Sequence, residues 1–179
     1  MGLRCAPCHE LAGDRRMLAC TQAEVGECAR RVFSLSEGER WMRMGVQLAK
    51  QIGEPVPTAF VQWYLALLLA EHGPQEQLAE ADALSREVIE LAGDGVTYSS
   101  MGQISLAIAS LRRGDLAGAE YNARTARTAL ASIGVRAYGV HADVALLRVL
   151  VDIGATAEAA QLADTALHSL AELGPFGLT

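Results

Sequence analysis

Residues 112–134, RRGDLAGAEYNARTARTALASIG, and residues 151–174, VDIGATAEAAQLADTALHSLAELG, decide the fold, because the second repeats the pattern of the first. Gly114, Ala119, Ala123, Ala126, Leu130 and Gly134 return forty residues later as Gly154, Ala159, Ala163, Ala166, Leu170 and Gly174. Working outward, glycines that close a unit fall at Gly13, Gly53, Gly93, Gly134 and Gly174, and glycines inside a unit at Gly73, Gly114 and Gly154. A repeat of this length predicts a solenoid, in which each unit buries its apolar face only against its neighbours.

Composition points the same way. Alanine and leucine dominate the 179 residues, aromatics make up 5% and there are five prolines, which suits closely packed helices and disfavours sheet. The expected fold class is all-α, a right-handed superhelix of antiparallel helix pairs. A net charge of −6 supplies no basic field, so nucleic acid is not an expected partner. The longest apolar run, Trp63 to Ala70, is well short of the roughly 20 residues that span a bilayer. The opening residues lack the apolar core of an export signal, and the four cysteines all lie within the first 28 residues. Together these predict a cytoplasmic protein with no membrane partner.

Along the chain, residues 1–12 read as irregular or a partial helix carrying a cysteine cluster. Residues 13–174 read as the repeat domain, in units of about 13–53, 53–93, 94–134 and 134–174. Residues 175–179 are an open end whose uncapped last unit offers a surface for self-association. Asp14 is the expected N-cap of the first helix, and Ser36 with Glu39 has the spacing of a capping box for the second, after a break at Ser34 to Gly38. Pro55 and Pro57 suit a helix entry. The glycines between helices are expected to supply left-handed C-caps, Gly73 among them.

Small residues recur where the two helices of a pair must approach: Ala66 and Ala107 in first helices, Ala119, Ala126, Ala159 and Ala166 in second helices. Leu65, Leu106, Leu146, Leu130 and Leu170 are large enough to fill the space between pairs. This pattern, with the turn glycines 73, 114 and 154, resembles the tetratricopeptide family, loosely over residues 14–174 and well over 97–174. It departs from that family in its period of about 40 rather than 34. The family's first-helix tryptophan position holds Gln62, Gln103 and Asp143. The longer period is similar to helical repeat regions of large bacterial signalling proteins, those attached to serine/threonine kinase domains or signalling ATPases. That resemblance implies a scaffold or sensor region that binds protein or peptide and is not an enzyme.

In the family's register the first-helix residues facing the concave groove are Phe60, Trp63, Leu67 and Ala70, then Met101, Ile104, Ile108 and Leu111, then His141, Val144, Arg148 and Val151. Aromatics and methionine in a concavity suit an apolar peptide or helix. The same residues would equally fill the inside of a tightly wound superhelix. The family's carboxylate-gripping lysines and asparagine do not transfer, since Phe60, Met101 and His141 stand at those positions. Arg112, Arg113, Arg124, Arg127 and Arg136 form a basic cluster, read as a solvated face over a site for an acidic partner.

Cys5-Ala-Pro-Cys8-His9 spells the C-x-x-C-H pattern of covalent haem attachment, a chemistry of exported proteins with no export signal ahead of it here. Cys5, Cys8, Cys20 and Cys28 have the number but not the spacing of a compact zinc knuckle. In the repeat register Cys20 and Cys28 fall at positions otherwise mostly apolar, which predicts core packing. The histidines have no nearby nucleophile and carboxylate in sequence to make a catalytic set. The expectation is an interaction module without cofactor; the alternative is a metal- or haem-binding sensor using Cys5, Cys8 and His9.

Overall fold

Between the glycines run alanine- and leucine-rich segments of about 17 residues, each able to form close to five helical turns. The computed structural model describes residues 13–173, and among them every such segment is a helix and no strand forms. The order is α1 (Arg15–Val32), α2 (Leu35–Ile52), α3 (Pro55–His72), a 3-10 turn (Gln75–Gln77), α4 (Leu78–Ala92), α5 (Val96–Arg112), α6 (Leu116–Ser132), α7 (Arg136–Asp152) and α8 (Thr156–Leu173). Each helix packs on the next in sequence, and α1, α3, α5 and α7 also pack each on the next of that set. The odd-numbered helices therefore form one continuous row.

The helix ends follow local chemistry. Asp14 caps α1 by accepting from the Met17 N–H, and Asp115 caps α6 by accepting from the Gly118 N–H. The expected capping box at Ser36 and Glu39 is displaced by two residues. Ser34 is the N-cap and accepts from the Glu37 N–H, while Glu39 accepts from Arg43 instead. Gly13, Gly53, Gly93, Gly114, Gly134 and Gly154 all take positive φ. Gly73 does not: at φ −61° and ψ 152° it is extended, because the ring of Pro74 excludes helical conformations from the residue before it. Gly174 lies outside the described residues.

Gly38 is no break between helices. It is buried inside α2, facing Gly26 of α1. A β-carbon added at Gly26 would stand 2.8 Å from the Gly38 carbonyl oxygen, and one at Gly38 would stand 2.9 Å from that of Gly26. The two backbones thus touch where neither has a side chain. Further along, Ala66, Ala107, Ala119 and Ala126 are fully buried, and Ala159 and Ala166 nearly so. Small residues at the helix crossings let the larger Leu65, Leu69, Leu130, Leu146 and Leu150 fill the core.

One buried feature is polar. Gln22, Gln62, Gln103 and Asp143 occupy the same place in the four first helices, and all but the half-buried Gln103 are buried. Asp143 accepts from Arg127 Nε at 2.7 Å, whereas both side-chain polar atoms of Gln62 are without a partner among the described residues.

Candidate functional site

Because α5 lies between α3 and α7 in the odd-numbered row, long side chains from α3 and α7 can meet over it. They do. The Trp63 ring of α3 stands edge-on to Tyr138 of α7 at 5.9 Å between centroids and to His141 at 6.5 Å. A turn or two further along, Arg148 of α7 reaches Glu71 of α3 at 3.4 Å. Side chains that α5 sends into this row are covered: Met101, Ile104 and Ile108 are buried, and Trp63 is itself only 4% exposed. Ala70 is buried as well, so five of the twelve candidate groove residues are core in this structure.

The remaining seven reach solvent to differing degrees. Phe60, Leu67 and Leu111 are half-buried, while His141, Val144, Arg148 and Val151 are exposed. Leu111 and Arg148, with Leu147, Val151 and Asp152, line an open depression of about 440 Å³ between α5 and α7. Burial pushes the His141 imidazole below its usual pKa, against the opposing pull of Glu71 and Glu27 and with the help of Arg31. Surrounding protein and access to solvent coexist there, as they do on the wall of a recess.

Three tyrosines belong to this face and carry no signal in a single helix pattern. Tyr64, Tyr98 and Tyr138, from α3, α5 and α7, all pack half-buried against the cluster of Ala59, Trp63, Val88 and Met101. Tyr64 also meets Phe60 edge-on at 5.1 Å and Trp63 at 4.7 Å. Tyr98 and Tyr138 are forty residues apart, so the repeat register could have found that pair. Tyr64 has no such counterpart.

The arginines of the cluster reach solvent, as expected of a solvated face, and each is also engaged within the protein. Arg112 donates to the carbonyl oxygens of Leu69, Ala70 and Gly73 at 3.3, 3.0 and 2.7 Å. Arg113 pairs with Asp82 at 2.8 Å, Arg127 with Asp143, and Arg136 with Glu172 at 2.6 Å. Arg124 places two nitrogens on the two carboxylate oxygens of Glu158, at 2.7 and 2.9 Å. Arg43 does the same to Glu80, at 2.6 and 2.9 Å. These two bidentate pairs tie α2 to α4 and α6 to α8 among the even-numbered helices.

Cys20 is half-buried and packs against the core, with burial and then Glu24 raising its thiol pKa. Cys28 is exposed, contrary to the expectation of core packing. Its register counterpart Leu68 sits on α3, which has α1, α2, α4 and α5 around it; among the described residues α1 packs chiefly on α2 and α3. Cys5, Cys8 and His9 lie outside the described residues. Among those described, no group of three or more His, Cys, Asp or Glu could hold a metal ion, and no helix is long and apolar enough to cross a membrane.

No protein-family model matches the chain, and no curated protein matches it either.

Proposed function

We propose that this chain is a non-catalytic interaction module that binds protein or peptide on the face of its odd-numbered helices. In this reading the helix pairs stack as a tetratricopeptide-like, right-handed α-solenoid of period about 40, and that face is its concave side. The positive-φ glycines at Gly13, Gly53, Gly93 and Gly134 support unit boundaries at that spacing. The observation that carries the function is the mixed surface built by α3, α5 and α7. It carries half-buried Phe60, Tyr64, Leu67, Tyr98 and Tyr138 from these helices, Val144 of α7, which is 41% exposed, and the depression lined by Leu111. Large amphipathic rings held on rigid helices lose little entropy on binding and dominate interface energetics. The resemblance to repeat regions of bacterial signalling proteins supports a scaffold or sensor role in the cytoplasm, within a larger regulator.

Selection from a displayed peptide library, followed by titration of the winning peptide, tests this. Leu67→Asp and Val144→Asp should each weaken binding about tenfold or more. Tyr121→Ala on α6, where the ring is 69% exposed, should leave it unchanged. Dependence on Tyr121 with indifference to Leu67 and Val144 would place the working surface on the even-numbered helices instead.

A further inference from the structure

Met101, Ile104 and Ile108 of α5 are buried, whereas the residues forty positions on, His141, Val144 and Arg148 of α7, are exposed. α5 has an odd-numbered helix on each side, and α7 has none beyond it among the described residues. The burial of this strip on α5 therefore depends on the helices that flank it. Three contacts between α3 and α7 span it: Trp63 edge-on to Tyr138, Trp63 edge-on to His141, and Glu71 to Arg148.

Each of these contacts is weak. An ion pair at 3.4 Å whose arginine is half exposed adds little to stability, and edge-on ring pairs add a modest increment beyond the area they bury. The Trp63 Nε1–H is meanwhile buried with no acceptor among the described residues, a cost that opposes closure. On the helical wheel Tyr138, His141 and Arg148 lie opposite Asp143, the buried carboxylate that joins α7 to α6 through Arg127 at 2.7 Å. α7 is thus held through a buried group on its α6 side and by weak contacts on its α3 side. An open depression of about 440 Å³ already lies between it and α5. A small rotation about the α6 side parts α7 from α3 and uncovers the strip.

We propose that Trp63, Tyr138 and His141, with Glu71 and Arg148, form a latch that closes the odd-helix face, and that a bound peptide holds it open. The two states differ in what a peptide meets. Closed, the face offers half-buried rings. Open, it adds the side chains of Met101, Ile104 and Ile108 and an indole N–H able to donate to a main-chain carbonyl. A ligand shifts such an equilibrium only by its differential affinity for the two states, and both additions favour the open one. The inference rests on the reading of the odd-helix face as the binding surface and names how access to it is regulated.

The test uses the full chain carrying Trp41→Phe, so that Trp63 alone reports by fluorescence. Arg148→Glu sets two carboxylates against each other across the latch. In the free protein it should shift Trp63 emission to the red and make the ring more accessible to acrylamide, with helicity by circular dichroism and cooperative unfolding retained. It should also tighten the binding of the peptide selected from the displayed library about three- to tenfold, as the open fraction grows. Arg148→Gln, which removes attraction without adding repulsion, should do the same to a smaller degree and carries the test if the charge reversal unfolds the chain. Adding Glu71→Arg to Arg148→Glu restores attraction with the charges exchanged and should return both readouts to the parent's values. An unchanged Trp63 or an unchanged affinity in the folded variant, or a failure of Glu71→Arg to rescue, overturns the latch. Binding that still depends on Leu67 and Val144 would then leave the groove reading standing. If no peptide depends on Leu67 and Val144, the groove reading falls and its regulation with it.

Discussion

The Arg112 guanidinium closes the end of α3 by donating to the carbonyl oxygen of Gly73 at 2.7 Å. The reason lies in Pro74. A helix normally covers its last carbonyls by turning its C′ residue left-handed, but proline forces Gly73 to be extended. The orphan carbonyls of Ala70 and Gly73 are met from α5 instead, and that of Leu69, which already accepts from the Gly73 N–H, takes a second bond from the same guanidinium. Replacing Arg112 by alanine should cost about 1–2 kcal/mol, and Arg112→Lys should recover only part of it, since one ammonium cannot reproduce the planar fork. Thermal unfolding reads the loss, and hydrogen exchange should quicken at the Gly73 amide. An unchanged midpoint in both variants would mean that water serves those carbonyls equally well.

Gly38→Ala should destabilise the protein although alanine is the better helix former by about 1 kcal/mol. The added β-carbon would stand 2.6 Å from the Arg30 β-carbon and 2.9 Å from the Gly26 carbonyl oxygen. Neither can rotate away, so α1 and α2 must separate, at a net cost of about 1–3 kcal/mol. Chemical denaturation measures it. A variant as stable as the parent would show that the crossing can open without loss.

The helices were legible because their ends are punctuated. Gly53, Gly93, Gly114, Gly134 and Gly154 mark positions that need positive φ, and that requirement is local. Gly73 misled because Pro74 overrides it. The groove was not legible in the same way. Whether Met101 and Ile108 face a ligand or a neighbour depends on how closely α3 and α7 approach over α5, and no local pattern encodes that distance. Nor could the arginines be assigned from sequence. The partners of Arg43 and Arg124 lie 37 and 34 residues away, and only the packing of alternate helices brings them together.

The bidentate pairs between even-numbered helices should make stability fall on acidification. The Arg43 guanidinium holds Glu80 below the usual carboxylate pKa. With the folded pKa depressed, the pair's contribution is complete above the ordinary glutamate pKa of about 4.3. It is lost as pH falls through the depressed value, where the folded state at last takes up the proton. Glu80→Gln should therefore lower the midpoint at pH 7, by about 0.5–1 kcal/mol for a largely solvated pair, and have little effect near pH 2. A deficit that persisted at pH 2 would assign the loss to packing and not to charge.

His141 should add a second acid-sensitive step at higher pH, with Trp63 as its reporter. Burial lowers the imidazole pKa, and Arg31 lowers it further, while Glu71 and Glu27 pull the other way. Burial prevails because Glu71 is already engaged by Arg148 and Glu27 by Arg30 and Arg31. The folded pKa then lies below the unfolded value of about 6.5. The contribution is accordingly full above that pH and declines as pH falls through the lower folded value. Unfolding followed between pH 7 and 5 should show this slope in the wild type and a flatter one in His141→Gln. The imidazole ring lies 6.5 Å from Trp63, so in a Trp41→Phe background the fluorescence of folded protein should change over the same titration, as a charged ring replaces a neutral one. An imidazole titrating above 6.5 would mean that the two carboxylates outweigh burial; stability would then rise on acidification, and the slope would have the opposite sign.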